Sequence, residues 1–398
     1  MKKIAILGST GSIGKSTLSI CETFPDRYLP ISLAAGQNID AAFEQCQRWR
    51  PQVVSMATEQ LADELRSRLK AAGVTGVEVV HGSAGTVRVA TLPEVDFVVS
   101  AIVGVAGLEA TYAAVKAGKT IGLANKECLV AAGELIIAAA KEHNVALLPI
   151  DSEHNAVHQC MRGGERREVR QIWLTASGGP FRNTPLAEFE RITPAQALKH
   201  PTWVMGQRIT IDSATMMNKG FEVIEACRLF ALPPEQVRVT VHPQSTVHSM
   251  VEFVDGSILA QISVTDMRLP ILYALAWPER VDAPVDSGLR FDLAALSQLD
   301  FAQPDLARFP CLRLAYEAAA AGGEACIALN AADEIAVAAF LAPDRGIPFM
   351  GIASTIEQVL MQTSSRPPAS IQEVLKADLA ARERAREVIA RQFTGALR

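Results

Sequence analysis

The chain has 398 residues, 49% of them hydrophobic and 20% charged, with a net charge of −5 at pH 7. That length exceeds what one hydrophobic core serves, so two or three domains of roughly 150 residues each are expected. No apolar run reaches the roughly 18 residues a membrane span needs, and no basic block offers a footprint for nucleic acid, so neither partner is expected.

Seven cysteines stand at positions 21, 46, 128, 160, 227, 311 and 326 with no C-x-x-C pair. They are expected to be reduced and mostly buried, forming neither a disulfide framework nor a structural zinc site. The apolar run after Lys2 and Lys3 is shorter than a signal peptide's core and leads straight into a glycine loop, so it reads as a first strand. A cytoplasmic chain is expected.

Over residues 1–150 short β-rich runs at 4–7, 31–35, 97–100, 120–123 and 146–150 alternate with helical stretches. Such alternation implies right-handed crossovers and an α/β unit with a doubly wound, Rossmann-like parallel sheet. From Asp151 the rhythm changes to long loops, a helix near 217–231 and strand-like runs at 237–241, 250–254 and 259–264, which suggests a central α+β catalytic domain over 151–276. A proline-containing stretch at 277–309 reads as a linker, and Ala-rich segments near 311–322, 327–342, 351–363 and 370–391 predict a C-terminal helical bundle over 310–398.

Gly8, Gly11 and Gly14 follow the first strand and open a helix, where glycines let the backbone turn tightly and approach a pyrophosphate at the helix's positive end. The spacing is G-x-x-G-x-x-G, looser than the usual fingerprint, and a plain strand-to-helix turn is the alternative. After the second strand an NAD-binding protein offers a carboxylate to the ribose, whereas this chain offers Gly36-Gln37-Asn38. The missing acid points toward NADPH, with only amide donors for a 2′-phosphate.

Asp151-Ser152-Glu153-His154 follows the strand expected at 146–150, at the carboxyl end where open α/β sheets place ligands. If the chain stays extended there, Asp151 and Glu153 project to one side as a hard cation requires. Glu222 offers a third carboxylate and would share a helix face with Lys219; a surface salt bridge is the alternative. Three oxygen ligands without a thiolate select Mg²⁺ or Mn²⁺, with Co²⁺ a further candidate, rather than zinc. Ser177, Ser213, Asn218 and Lys219 supply hydroxyl, amide and ammonium groups suited to a phosphate dianion. His200, Trp203 and Met205 lie in a stretch bounded by Pro201 and Gly206, which reads as a lid with an indole cover. His154, His242 and His248 read as structural or supporting groups rather than ligands, since carboxylates already satisfy a hard metal.

Taken together, the strings Gly8-Ser-Thr-Gly-Ser-Ile-Gly14, Leu123-Ala-Asn-Lys-Glu127, Asp151-Ser-Glu-His-Asn155, Ala176-Ser-Gly-Gly-Pro-Phe181, Asp212-Ser-Ala-Thr-Met-Met-Asn-Lys-Gly220, His242-Pro-Gln-Ser245 and Leu329-Asn-Ala-Ala-Asp-Glu334 resemble the 1-deoxy-D-xylulose-5-phosphate reductoisomerase family along essentially the whole chain. The resemblance implies a homodimer with an N-terminal NADPH domain, a central catalytic domain carrying a mobile loop, and a C-terminal helical domain. It implies rearrangement of a sugar phosphate followed by NADPH-dependent reduction to 2-C-methyl-D-erythritol 4-phosphate, in the non-mevalonate route to isoprenoid precursors.

Carried over by position, the resemblance places Thr10, Gly11, Ser12, Ile13, Gly36, Gln37, Asn38, Asn125, Glu127 and Gly206 on the cofactor. It places Lys126, Ser152, Glu153, Ser177, His200, Ser213, Asn218, Lys219 and Glu222 on the substrate, with Trp203 covering it, and makes Asp151, Glu153 and Glu222 the metal ligands. Lys126 and Glu153 are the candidates for proton movement, with acid and base unassigned between them. The departure is Gln37, where a lysine is expected in some relatives. A simpler NADP-dependent dehydrogenase does not account for three metal carboxylates, and a dinucleotide-sensing binding protein would treat the acidic cluster as a solvated loop.

Overall fold

A computed structural model describes residues 1–200, 206–342 and 346–393. The N-terminal stretch alternates strand and helix: β1 (Lys2–Leu7), α1 (Ser12–Thr23), β2 (Tyr28–Gly36), α2 (Ile39–Trp49), β3 (Val53–Met56), α3 (Glu59–Ala71), β4 (Glu78–His81), α4 (Gly82–Ala90), β5 (Phe97–Ser100), α5 (Leu108–Lys116), β6 (Thr120–Leu123), α6 (Lys126–Glu142) and β7 (Leu147–Pro149). The chain continues through α7 (Ser152–Cys160), β8 (Val169–Ala176), α8 (Pro194–Ala197), α9 (Gln207–Ala214), α10 (Met217–Leu229), β9 (Val237–Val241), β10 (Val247–Phe253), β11 (Ile258–Ile262) and α11 (Arg268–Ala276). Four helices close it: α12 (Pro310–Ala321), α13 (Glu324–Leu341), α14 (Phe349–Leu360) and α15 (Ile371–Phe393).

The chain divides into two compact units, the first comprising Met1–Cys128, Glu134–Asn155 and Asp266–Arg290. Its seven-stranded sheet runs in the order β4-β3-β2-β1-β5-β6-β7, and every pairing is parallel. This is the doubly wound sheet expected, because strands such as β1 and β5 bury both faces and read as continuous apolar runs. The order reverses beside β1, so the loops after β1 and β5 flank the switch point where such sheets bind ligands. β3 and β4, of four residues each, are strands the sequence left unmarked.

The first unit also holds residues 266–290, a stretch the sequence divides between the catalytic domain and the linker. α11 is apolar all round, buried from Pro270 to Ala276, and packs on α1. Lys2 Nζ donates to Leu275 O at 2.5 Å and adds a polar tie. A helix without a polar face has to be buried, which puts α11 against the first sheet unit.

The second unit comprises Leu129–Gly133, Ala156–Thr265 and the described part of Phe291–Arg398. Its sheet has the order β11-β10-β8-β9, with β8 antiparallel to β10 and parallel to β9. β8 is a strand the sequence left unmarked; its last three residues, Leu174 to Ala176, are all buried, so no strict alternation runs along it. α12 to α15 share one continuous apolar core with β8, β9 and α10. Phe349 is its aromatic centre, with ring centroids 5.3 Å from Phe181, 5.9 Å from Phe189 and 5.7 Å from Phe340. Three edge-on partners of this kind contribute beyond their buried area.

Candidate active site

The glycine turn is built by close approach. A Cβ on Gly8, whose φ is +88°, would lie 2.6 Å from Ala101 O, and one on Gly14 would lie 2.5 Å from Ser9 Cα. Neither position accepts a side chain without moving backbone. Thr10 Oγ1 donates to Ala35 O at 2.9 Å, and Gln45 Nε2 donates to Ser9 O at 2.9 Å, so the turn is fixed to β2 and α2. Gly11 caps α1 without a side chain, and the first-turn N–H groups of Ser12 and Ile13 have no partner within the helix. Open donors at the positive end of a helix dipole form a ready site for a phosphate.

At the end of β2, Gly36 has φ +66°, and Gln37 and Asn38 are exposed. Asn38 Oδ1 accepts from Ala41 N at 3.1 Å and caps α2, which leaves its Nδ2 to donate to a ligand. Asn125, also expected on the cofactor, has its side chain committed to the fold. Its Oδ1 accepts from Cys128 N at 3.1 Å to cap α6, and its Nδ2 donates to Gly104 O at 2.9 Å and to Ile102 O. The neighbouring Glu127 is buried.

Asp151 and Glu153 are not on an extended chain. Helix α7 begins at Ser152; Asp151 O accepts from Asn155 N at 2.9 Å, and Asp151 Oδ1 accepts from Ser152 N at 3.1 Å. A carboxylate just before a helix and another in its first turn both gain from the dipole, which favours turning the chain here over extending it. The two acids therefore sit together because they share a helix N-terminus rather than a strand face. Lys126, first residue of α6, pairs with Asp151 Oδ2 at 2.8 Å, both side chains largely buried. Ser152 Oγ donates to Glu153 Oε2 at 2.5 Å. His154 is fully buried with Nδ1 3.9 Å from Asp151 Oδ2, beyond hydrogen-bond range.

In the second unit Ser177 Oγ and His200 Nε2 lie 3.2 Å apart, and burial lowers the His200 pKa so that the ring favours its neutral form. Gly178 and Gly179 take positive φ, and a Cβ on Gly179 would lie 2.7 Å from Ser213 O, so this turn rests on the backbone of α9. Gly206 caps α9, and a left-handed Met216, φ +61°, turns the chain from α9 into α10. On α10 Lys219 pairs with Glu222 Oε2 and Asn218 Nδ2 donates to Glu222 Oε1 at 2.7 Å. The Lys219–Glu222 pair is buried, with Glu222 at 1% exposure, and is not a surface salt bridge. Glu225 lies one turn on from Glu222, equally buried; the i, i+3 spacing was its only trace in the sequence. Trp203 and Met205 lie outside the described residues.

His242 is a structural residue. Its Nε2 accepts from the N–H groups of Thr246 and Val247, both at 3.2 Å, which puts the proton on Nδ1 to donate to Asp300 O at 2.8 Å. The ring stacks on Phe301 at 4.8 Å.

The first unit thus offers a tight glycine turn at a helix N-terminus and an acid–lysine group at one edge of a parallel sheet, and the second a hydroxyl–imidazole pair and a buried lysine–carboxylate pair. Three family models match in succession: 1-deoxy-D-xylulose 5-phosphate reductoisomerase over residues 4–133, its C-terminal domain over 147–230, and a DXP reductoisomerase C-terminal domain over 262–384. The chain belongs to the 1-deoxy-D-xylulose 5-phosphate reductoisomerase family. It is 54% identical to the member from Methylococcus capsulatus, covering 98% of this chain and 99% of that one, and 52% identical to the member from Solibacter usitatus, covering 98% and 97%. A solved family structure from Zymomonas mobilis in complex with NADPH superposes with a TM-score of 0.90 at 46% identity, covering 98% of this chain and 99% of that one. Another, in complex with NADPH, fosmidomycin and magnesium, has a TM-score of 0.90 at 41% identity, covering 98% and 100%. The chain is accordingly an oxidoreductase of the reductoisomerase type. Among the described residues no helix is long and apolar enough to cross a membrane.

Proposed function

We propose that this chain uses NADPH and one divalent cation to rearrange 1-deoxy-D-xylulose 5-phosphate and reduce the branched aldehyde product to 2-C-methyl-D-erythritol 4-phosphate. The observation that carries the reading is the common placement of the glycine turn after β1, Lys126 after β6 and Asp151 with Glu153 after β7, all at the carboxyl edge of one parallel sheet. A nucleotide held at the turn and a substrate held by the acids would meet there.

The donor set fits the implied groups. Ser12 and Ile13 N–H would hold the pyrophosphate, and Gly36, Gln37 and Asn38, none of them a carboxylate, would flank the ribose 2′-phosphate. Thr10, Gly11, Asn125, Glu127 and Gly206 complete the proposed cofactor set. Asp151, Glu153 and Glu222 are hard oxygen donors suited to Mg²⁺ or Mn²⁺. When bound, the cation polarises a ketone and acidifies a neighbouring hydroxyl, and NADPH supplies a hydride.

Ser177, Ser213, Asn218 and Lys219 would bind the substrate phosphate, with His200 beside Ser177, and Trp203 would cover the site. Ser152 orients Glu153 by the hydrogen bond to its carboxylate. Lys126 would hold a substrate oxygen or move a proton with Glu153. In functional terms residues 1–150 would hold cofactor, 151–276 the chemistry, 277–309 the link and 310–398 the helical support.

A homodimer and a cytoplasmic location belong to the same proposal. β11 is an edge strand that exposes Ile258 and Leu259, with Val254 exposed just before it, and edge strands of this kind need a partner or protection. The cysteines are free thiols, most of them buried, as suits a reducing compartment. Light scattering on the purified chain tests the dimer. Consumption of NADPH on adding 1-deoxy-D-xylulose 5-phosphate and Mg²⁺, abolished by chelation, tests the reaction.

A further inference from the structure

α9 has eight residues, too short to hold its geometry alone in water. It carries Ser213 and leads directly into the helix bearing Asn218, Lys219 and Glu222. Something must fix it, and its first turn supplies Arg208, a residue the sequence gave no reason to single out. The Arg208 guanidinium donates to Asn330 Oδ1 at 2.8 Å and stands 3.4 Å from both Asp333 Oδ2 and Glu334 Oε2, all on α13. It also faces Asp212 one turn along α9, at 3.7 Å, and lies over the Phe221 ring of α10 at 5.9 Å.

The network continues into α15. Arg382 binds Glu334 at 2.7 Å and Asp378 at 2.6 Å. Asn330 and Asp333 are fully buried and Asp378 nearly so. Two planar forks thus tie α9 to α13 and α13 to α15, in a geometry that a lysine's single ammonium does not reproduce. A buried network of this kind specifies one arrangement of the elements it joins more than it adds stability.

We propose that Arg208 is a positioning residue for the sugar phosphate: by clamping α9 to Asn330, Asp333 and Glu334 it sets the place of Ser213 and of the Ser177-Gly178-Gly179 turn that rests on it. The inference rests on the reading of Ser177 and Ser213 as phosphate contacts.

The test compares Arg208→Lys, Glu334→Gln and Ser213→Ala in the full chain, measuring KM and kcat for 1-deoxy-D-xylulose 5-phosphate, Kd for NADPH and thermal midpoint. Arg208→Lys is expected to raise KM by about tenfold, with NADPH affinity unchanged. Glu334→Gln, which touches no proposed ligand contact, is expected to raise KM less, and the double variant to show less than the product of the two effects. If Ser213→Ala raises KM while Arg208→Lys and Glu334→Gln lower only the thermal midpoint, the clamp is merely structural and the proposal fails alone. If Ser213→Ala leaves KM unchanged, the phosphate reading fails and takes the proposal with it. Should Arg208→Lys not fold, Glu334→Gln decides between the same outcomes.

Discussion

Lys126 Nζ and Asp151 Oδ2 lie 2.8 Å apart, joining the residues that follow two neighbouring strands of the first sheet. The pair connects a proposed proton carrier to a proposed metal ligand. Because both side chains are largely buried, the attraction is less screened than at a surface. Lys126→Met should lower kcat by at least about a hundredfold through loss of proton transfer and substrate orientation, with NADPH affinity within about twofold. Steady-state kinetics with a parallel NADPH titration distinguishes this from general damage, in which both would decline.

Glu222 accepts from Asn218 and Lys219 in a buried setting. Glu222→Gln should weaken Mn²⁺ binding in a calorimetric titration and cut metal-dependent turnover while sparing NADPH. It should also cost stability, by about 3 kcal/mol, because Lys219 keeps its charge inside the fold. Full turnover at unchanged metal affinity would remove Glu222 from the ligand set.

Gln37 and Asn38 offer only neutral donors to a 2′-phosphate, and one of Asn38's polar atoms is already committed to capping α2. NADPH should still be used in preference to NADH, since none of residues 36–38 is a carboxylate that would repel the phosphate. Gln37→Lys should widen the preference by roughly 1–2 kcal/mol at low salt, less at high salt. The ratio of kcat/KM for the two cofactors at two ionic strengths measures it; no gain from lysine would mean that position 37 does not face the phosphate.

Asp333 is fully buried, and burial raises its carboxyl pKa to about 6, against the attraction of Arg208 that lowers it. A carboxyl raised in the folded state binds its proton more tightly there than in the unfolded chain. Its contribution to stability is therefore full below the unfolded value of roughly 4 and is lost as pH rises through about 6. Asp333→Asn should flatten that part of the profile. Thermal midpoints of both proteins between these limits give the comparison, and parallel curves would place the proton elsewhere.

The parallel sheet and the glycine turn were legible because burial on both faces leaves continuous apolar runs and because steric contact at Gly8 and Gly14 excludes any other residue. β4 was not, since only Val79 and Val80 are apolar in it, nor was β8, whose last three residues are all buried so that no strict alternation runs along it. The closeness of the acids at 151 and 153 was legible for a partly mistaken reason. Spacing suggested a strand face, whereas the helix dipole decides the local conformation. Lys219 and Glu222 were legible as a pair because i, i+3 spacing on a helix is geometric, but their burial depended on tertiary packing. Arg208 was hidden altogether, because its partners on α13 lie more than a hundred positions away and nothing local marks them.

The most direct test of the account is the stoichiometric, cation-dependent reaction itself. Purified chain, NADPH and 1-deoxy-D-xylulose 5-phosphate are followed by absorbance and by carbon-13 spectra, with Mg²⁺ and after chelation. The account predicts one equivalent of NADPH oxidised per 2-C-methyl-D-erythritol 4-phosphate formed, and neither event once the cation is removed. NADPH oxidation that persists unchanged after complete removal of divalent ions, or that yields an unbranched alcohol, would contradict it.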